Sequence, residues 1–163
     1  MRAGDVILFK TKFHLLKPMS WLSCLIRLFT KSKYNHVGLF IESWGEMFLI
    51  EAIGKGVIVR PGTYMNRPGN DILILEPNFG YDSKELSKKV TKQLGKSYNY
   101  KLLILEQAWY RFTGDWWGRT NVNHNQEKSF VCSSLIAWAF CFPEWWKWSA
   151  KEFYESNYFN HYK

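Results

Sequence analysis

Up to Leu75 the chain alternates short apolar runs with turn signals. Asp5-Val6-Ile7-Leu8-Phe9 reads as a strand with a polar start, Tyr34 to Glu42 as a second, Met47 to Ile53 as its partner, and Gly56 to Arg60 as a fourth after the Gly54-Lys55-Gly56 turn. The last three form a meander. Pro61 and Pro68 mark the loop that follows, and Asp71 to Leu75 supply one more apolar run before Pro77.

Elsewhere the spacing is helical. Ser20 is a suitable N-cap for a helix over Trp21 to Thr30, where Leu22, Leu25, Ile26 and Phe29 line one side and Arg27 and Lys31 lie off it. Asp82, followed three residues on by Glu85, has the form of a capping box; Leu86, Val90 and Leu94 line one face, and Gly95 is a natural stop. A second helical stretch runs from Lys101 to Phe112, Thr113 to Ser129 reads as a polar, Trp-containing loop, and a further helix begins at Cys132. The tail from Pro143, with Trp145, Trp146 and Trp148, carries no single period. Without a repeat or a dividing linker, this pattern predicts one α+β domain over residues 1–163, an antiparallel sheet (meander or small barrel) packed against helices.

Composition narrows the class. With 47% hydrophobic and 22% charged residues the chain can build a core, so disorder is excluded as the default. No run of about 18 apolar residues is present to span a bilayer, and the first residues lead into a strand instead of a signal peptide. The expected location is cytoplasmic. Cys24, Cys132 and Cys141 cannot all pair, and no CxxC spacing or histidine cluster offers a zinc site. Reduced thiols, no metal and no cofactor are therefore expected.

The net charge of +8 is unevenly placed, with seven basic residues against Asp5 alone in residues 1–36. Interleaved with Phe13, Trp21 and Phe29, this cluster suits an anionic or amphipathic substrate or a peripheral membrane contact, although a solvated face is the commoner origin of such a cluster. No nucleic-acid motif accompanies it, so nucleic acid is not an expected partner.

The chemistry rests on three residues. Cys132 opens the run Phe130-Val131-Cys132-Ser133-Ser134-Leu135, a thiol at a helix start, where free N–H groups stabilise a thiolate. His36, in Asn35-His36-Val37-Gly38-Leu39, stands at the mouth of an apolar strand. A histidine base needs a third group to orient it, and the hairpin lets that group be counted. If Trp44-Gly45 is a two-residue turn, Ser43 faces Glu46, Glu51 lies opposite Gly38, and His36 and Glu51 become diagonal neighbours on one face. Glu42 shares the face but sits on the order of 20 Å away at about 3.3 Å per residue. Taken singly, a helical cysteine is usually a small core hydrophobe, and a strand histidine or glutamate usually makes a structural hydrogen bond.

Gly4-Asp5-Val6-Ile7-Leu8-Phe9, Asn35-His36-Val37-Gly38-Leu39, Ile50-Glu51-Ala52 and Phe130-Val131-Cys132-Ser133-Ser134, in that order, resemble the circularly permuted branch of the NlpC/P60 papain-like superfamily, the YaeF/YiiX-like group. The resemblance spans roughly residues 4–140. It implies a permuted papain-like fold, with a histidine strand before the cysteine helix and a polar residue on the next strand, hence a catalytic set of Cys132, His36 and Glu51. Lys96-Ser97-Tyr98-Asn99-Tyr100 resembles the Gly-x-x-Tyr-Asp segment of relatives, which implies either a Tyr98 hydroxyl supporting the thiol or the oxyanion, or a core tyrosine with its hydroxyl satisfied. Two departures stand out: Cys132-Ser133-Ser134 replaces the common Cys-Ser-Glu, and the Asn-Cys-Glu-His motif of lecithin:retinol acyltransferase relatives is absent.

Together these readings point to a cysteine hydrolase of the peptidase or amidase type, acting on an amide- or ester-bearing substrate such as a cell-wall peptide or a lipid. The alternatives are a lipid acyl hydrolase or acyltransferase, and a catalytically silent lipid- or peptidoglycan-binding module.

Overall fold

A computed structural model describes residues 1–11, 32–66, 70–103, 113 and 128–162. The helix expected over residues 21–30, most of that over 101–112, most of the loop over 113–129, Cys24 and most of the basic N-terminal cluster lie outside the described residues.

The first two apolar runs form β1 (Val6–Thr11) and β2 (His36–Ser43), and the hairpin partners form β3 (Glu46–Ile53) and β4 (Gly56–Pro61). A 3₁₀ turn over Gly62–Asn66 occupies the expected loop and leads to β5 (Asn70–Pro77). The meander is present, but it does not stand alone. β1 inserts beside β2, and the antiparallel sheet reads β4-β3-β2-β1-β5-β8, with β8 (Phe159–Tyr162) supplied by the tail.

Period-two alternation decides which side chains face which core. Val6, Leu8, Val37, Leu39, Ile41, Ile50, Ala52, Leu73 and Leu75 pack toward the helices, while Ile7, Phe9, Phe40 and Leu49 form a smaller cluster with Met47, Tyr64, Met65 and Ile72. Helix α1 (Ser83–Thr91) begins where expected, with Asp82 Oδ1 accepting from the Lys84 and Glu85 N–H groups at 2.8 and 3.1 Å. The box is only half built, because the Glu85 carboxylate turns to Lys88 instead. The helix also ends at Thr91, before the expected stop, and Leu94 is exposed instead of continuing the buried face. Past Thr91 the chain tightens into turns that bring the Gly95 N–H to Val57 O (2.9 Å) and Lys96 O to the Val57 N–H (2.8 Å). Attachment to the start of β4 overrides helical continuation.

Two short strands, β6 (Ser97–Tyr98) and β7 (Ser129–Phe130), pair in parallel and deliver the chain into helix α2 (Cys132–Ala139). Leu135 and Ile136 are wholly buried, and the helix packs on β2 and β3. The tail holds α3 (Ala150–Glu155), whose N-cap Ser149 and Glu152 form a reciprocal capping box. Around it Phe79, Phe140, Phe142, Trp148, Phe153 and Phe159 make edge-to-face and stacked contacts, the tightest being Phe142 on Trp148 at 4.4 Å. The result is a mixed α+β architecture. Among the described residues no helix is long and apolar enough to cross a membrane.

Candidate functional site

The site begins with a turn. Trp44 (φ 51°) and Gly45 (φ 77°) are both left-handed, as a two-residue type I′ hairpin requires, and Ser43 faces Glu46. The ladder runs back in the counted register to Leu39 opposite Ile50, where it stops. Beyond that point β2 stays paired with β1, His36 opposite Phe9. His36 and Glu51 then meet on one face, Nε2 to Oε2 at 2.6 Å. A Cβ on Gly38, between them in the weave, would stand 2.6 Å from Leu49 Cδ1 and 3.1 Å from Ile7 Cγ2, so the glycine makes room for packing beside the pair.

The early end of the ladder matters for the third residue. The Phe40 N–H bonds Asp5 O on the β1 side, so by alternation the Val37 N–H points toward β3. With no β3 partner at that level, it faces the sulfur of Cys132 and favours its thiolate. Cys132 is the first residue of α2, held by Val131 in extended backbone and by Ser134, whose hydroxyl accepts from the Val131 N–H (3.0 Å) and donates to Val131 O (3.1 Å). The Ser133 hydroxyl donates to Trp148 O at 2.6 Å and ties the helix start to the tail. The sulfur also meets the His36 ring, the Ser133 N–H and the Tyr98 hydroxyl. Since Nε2 of His36 is engaged by Glu51, Nδ1 is the nitrogen left for the thiol.

These contacts govern protonation. Burial on its own pushes the Cys132 thiol up, but the imidazolium beside it and the Val37 and Ser133 N–H groups outweigh this and hold it below the ordinary thiol value. Burial likewise disfavours a charged imidazole, yet the adjacent thiolate and the Glu51 carboxylate raise His36 to about 10. Glu51 is 3% exposed, and burial would raise it, but His36 and Arg60 keep it below the carboxylate norm. Tyr98, half-buried and beside the Cys132 sulfur, is pushed well above the ordinary phenol value by desolvation and by that sulfur's charge, so its hydroxyl stays a donor. The thiolate and the imidazolium therefore each favour the other.

The fold is similar to that of yiiX from Escherichia coli O157:H7. That solved structure, described as a metalloprotein of DUF1105, aligns with a TM-score of 0.57 at 18% identity over 85% of this chain. The chain spans only 64% of the length of yiiX. No family model and no curated protein matches the sequence. At this identity the likeness carries the fold, and it agrees with the YiiX-like resemblance of the motifs.

The structure thus brings together all four residues singled out in the sequence, Cys132, His36, Glu51 and Tyr98. It adds one that sequence reasoning missed. Arg60 donates its Nε–H to Glu51 Oε1 at 2.5 Å, and its guanidinium lies 4.2 Å from the centre of the Tyr64 ring. The signal was present. Ile53 pairs with Gly56 across the β3–β4 hairpin, so Glu51 faces Ile58 and Arg60 is its diagonal neighbour on the same face. Counting one more hairpin finds it.

Proposed function

We propose that this chain is a cysteine hydrolase of circularly permuted papain-like fold that cleaves an amide through a covalent acyl-enzyme. The observation that carries the reading is the contact series Glu51, His36, Cys132, with the thiol held low and the imidazole high. The order of these residues, histidine strand first and cysteine helix last, supports the permuted arrangement.

In the proposed reaction the Cys132 thiolate attacks the substrate carbonyl and forms the carbon–sulfur bond. As the tetrahedral intermediate collapses, the carbon–nitrogen bond breaks and the amine leaves with the Nδ1 proton of His36. Water then attacks the thioester, gives one proton to Nδ1, and the carbon–sulfur bond breaks to restore thiolate and imidazolium. The Cys132 N–H, without an intrahelical acceptor as the first residue of its helix, and the Tyr98 hydroxyl are the donors for the oxyanion.

The description of yiiX as a metalloprotein does not carry over to this site. Among the described residues no group of three or more His, Cys, Asp or Glu side chains stands together as a metal would need. Glu51, His36 and Cys132 are strung in line, and both nitrogens of His36 are engaged within the series. No step is routed through a metal.

The test is selective alkylation at neutral pH followed by peptide mapping. Iodoacetamide is expected to label Cys132 faster than Cys141, and His36→Ala to slow that labelling. Activity on an amide panel should vanish in Cys132→Ala. Labelling of Cys132 no faster than Cys141, or full activity in Cys132→Ala, sinks the proposal.

A further inference from the structure

We infer that Arg60 is a positioning residue that fixes the tautomer of His36 during hydrolysis of the acyl-enzyme. The inference rests on the cysteine-hydrolase reading and adds a fourth side chain to it. Arg60 does not reach the thiol in this arrangement; it acts on Glu51, and Glu51 on the imidazole.

The first argument is charge. Arg60, Glu51, His36 and Cys132 form a part-buried series of alternating sign, and with the thiol and the imidazole both ionised the four charges sum to zero. Once Cys132 is acylated and its proton partner has left with the amine, the thiolate charge is gone and the imidazole is neutral. Glu51 and Arg60 then remain as a balanced pair. Without Arg60, a carboxylate that is 3% exposed would face only a neutral ring. A lone buried carboxylate is costly and takes up a proton.

The second argument is direction. An ionised Glu51 can only accept, so it holds the imidazole proton on Nε2 and leaves Nδ1 with a free lone pair to take a proton from the attacking water. A protonated Glu51 donates instead. It would claim the Nε2 lone pair, move the imidazole proton to Nδ1, and leave no base facing the thioester. Arg60 thus matters most in the second half of the reaction, where nothing else of positive charge stands beside Glu51 in the series.

The geometry suits that task. Arg60 offers Glu51 its Nε–H while its guanidinium plane is carried on the Tyr64 ring, so the donor is held by covalent geometry and by a face contact. Both oxygens of Glu51 are used, Oε2 by His36 and Oε1 by Arg60, which locks the carboxylate against rotation.

The experiment uses the full chain and a p-nitrophenyl acyl ester, with nitrophenolate release reporting acylation and intact mass reporting the lifetime of the acyl-enzyme. In the unaltered protein a burst with acyl mass on Cys132 is expected; its absence removes the hydrolase reading itself, apart from Arg60. Given a burst, Arg60→Met should acylate at nearly the original rate but lose its acyl group about tenfold or more slowly, on the scale of general-base effects. Its deacylation should recover as pH rises, along a limb displaced upward, because a Glu51 without Arg60 ionises later. Arg60→Lys, which keeps the charge but not the ring contact, should restore deacylation in part. Unchanged deacylation in Arg60→Met overturns the inference. So does equal slowing of both steps in Arg60→Lys with no displacement of the pH limb, the result expected of a residue that merely holds the sheet together.

Discussion

At Cys132 the balance between burial and hydrogen bonding decides the chemistry. The thiol is 8% exposed, and an apolar setting of that kind would by itself keep it protonated. Groups from two parts of the chain reverse this: the His36 ring and the Val37 N–H on β2, and the Ser133 N–H at the start of α2. The proposed turnover requires thiolate and imidazolium together. Their joint population rises as pH climbs through the lowered thiol pKa and falls as the imidazolium loses its proton near pH 10. We expect kcat/KM for an amide to follow that bell, while alkylation of Cys132, which needs the thiolate alone, rises on the acid side and does not fall on the alkaline side. An alkylation rate that tracks an ordinary thiol through neutral pH would contradict the ion pair.

Among the elements, the β2–β3 hairpin sets the register that joins His36 to Glu51, and its turn does so under strain. Trp44 adopts φ 51° while 97% exposed, so it meets the steric cost of the left-handed region with little burial to offset it. Trp44→Asn supplies the residue type such turns favour, and thermal unfolding should show a gain of about 1 kcal/mol with thiol reactivity unchanged. A loss of stability would mean that Trp44 contributes something its exposure hides. This hairpin was legible because two-residue turns fix pairing, and pairing fixes faces. The end of α1 was not, since the Gly95 and Lys96 bonds to Val57 come from a strand far along the chain. Nor was β8, which buries only Phe159 and owes its form to the edge of β5. Ser149 and Glu152 spell a capping box in the tail, but six helical residues are too few for a period to show.

Across the whole molecule the tail is part of the site. Phe153 is fully buried among Phe142, Trp148 and Phe159, and the Trp148 carbonyl accepts from Ser133, the residue beside the thiol. Phe153→Ala is expected to cost about 3–5 kcal/mol in chemical denaturation. Because the cavity opens behind the contact that braces α2, Cys132 alkylation should slow at temperatures where the variant remains folded. Stability loss with unaltered alkylation would show that the tail and α2 are independent.

The amino-acid sequence by itself determined the local terms. Apolar alternation marked β1 to β5, a left-handed turn counted His36 onto the face of Glu51, and a thiol followed an extended segment at a helix start. These are consequences of backbone periodicity and turn geometry, which act over a few residues. Only the tertiary structure decided that the β2–β3 ladder stops at Leu39 and Ile50, freeing the Val37 N–H for sulfur, and that Arg60 closes on the far oxygen of Glu51. Those outcomes depend on strands and a helix distant in sequence competing for the same hydrogen-bonding groups, and that competition is settled only when the elements pack together.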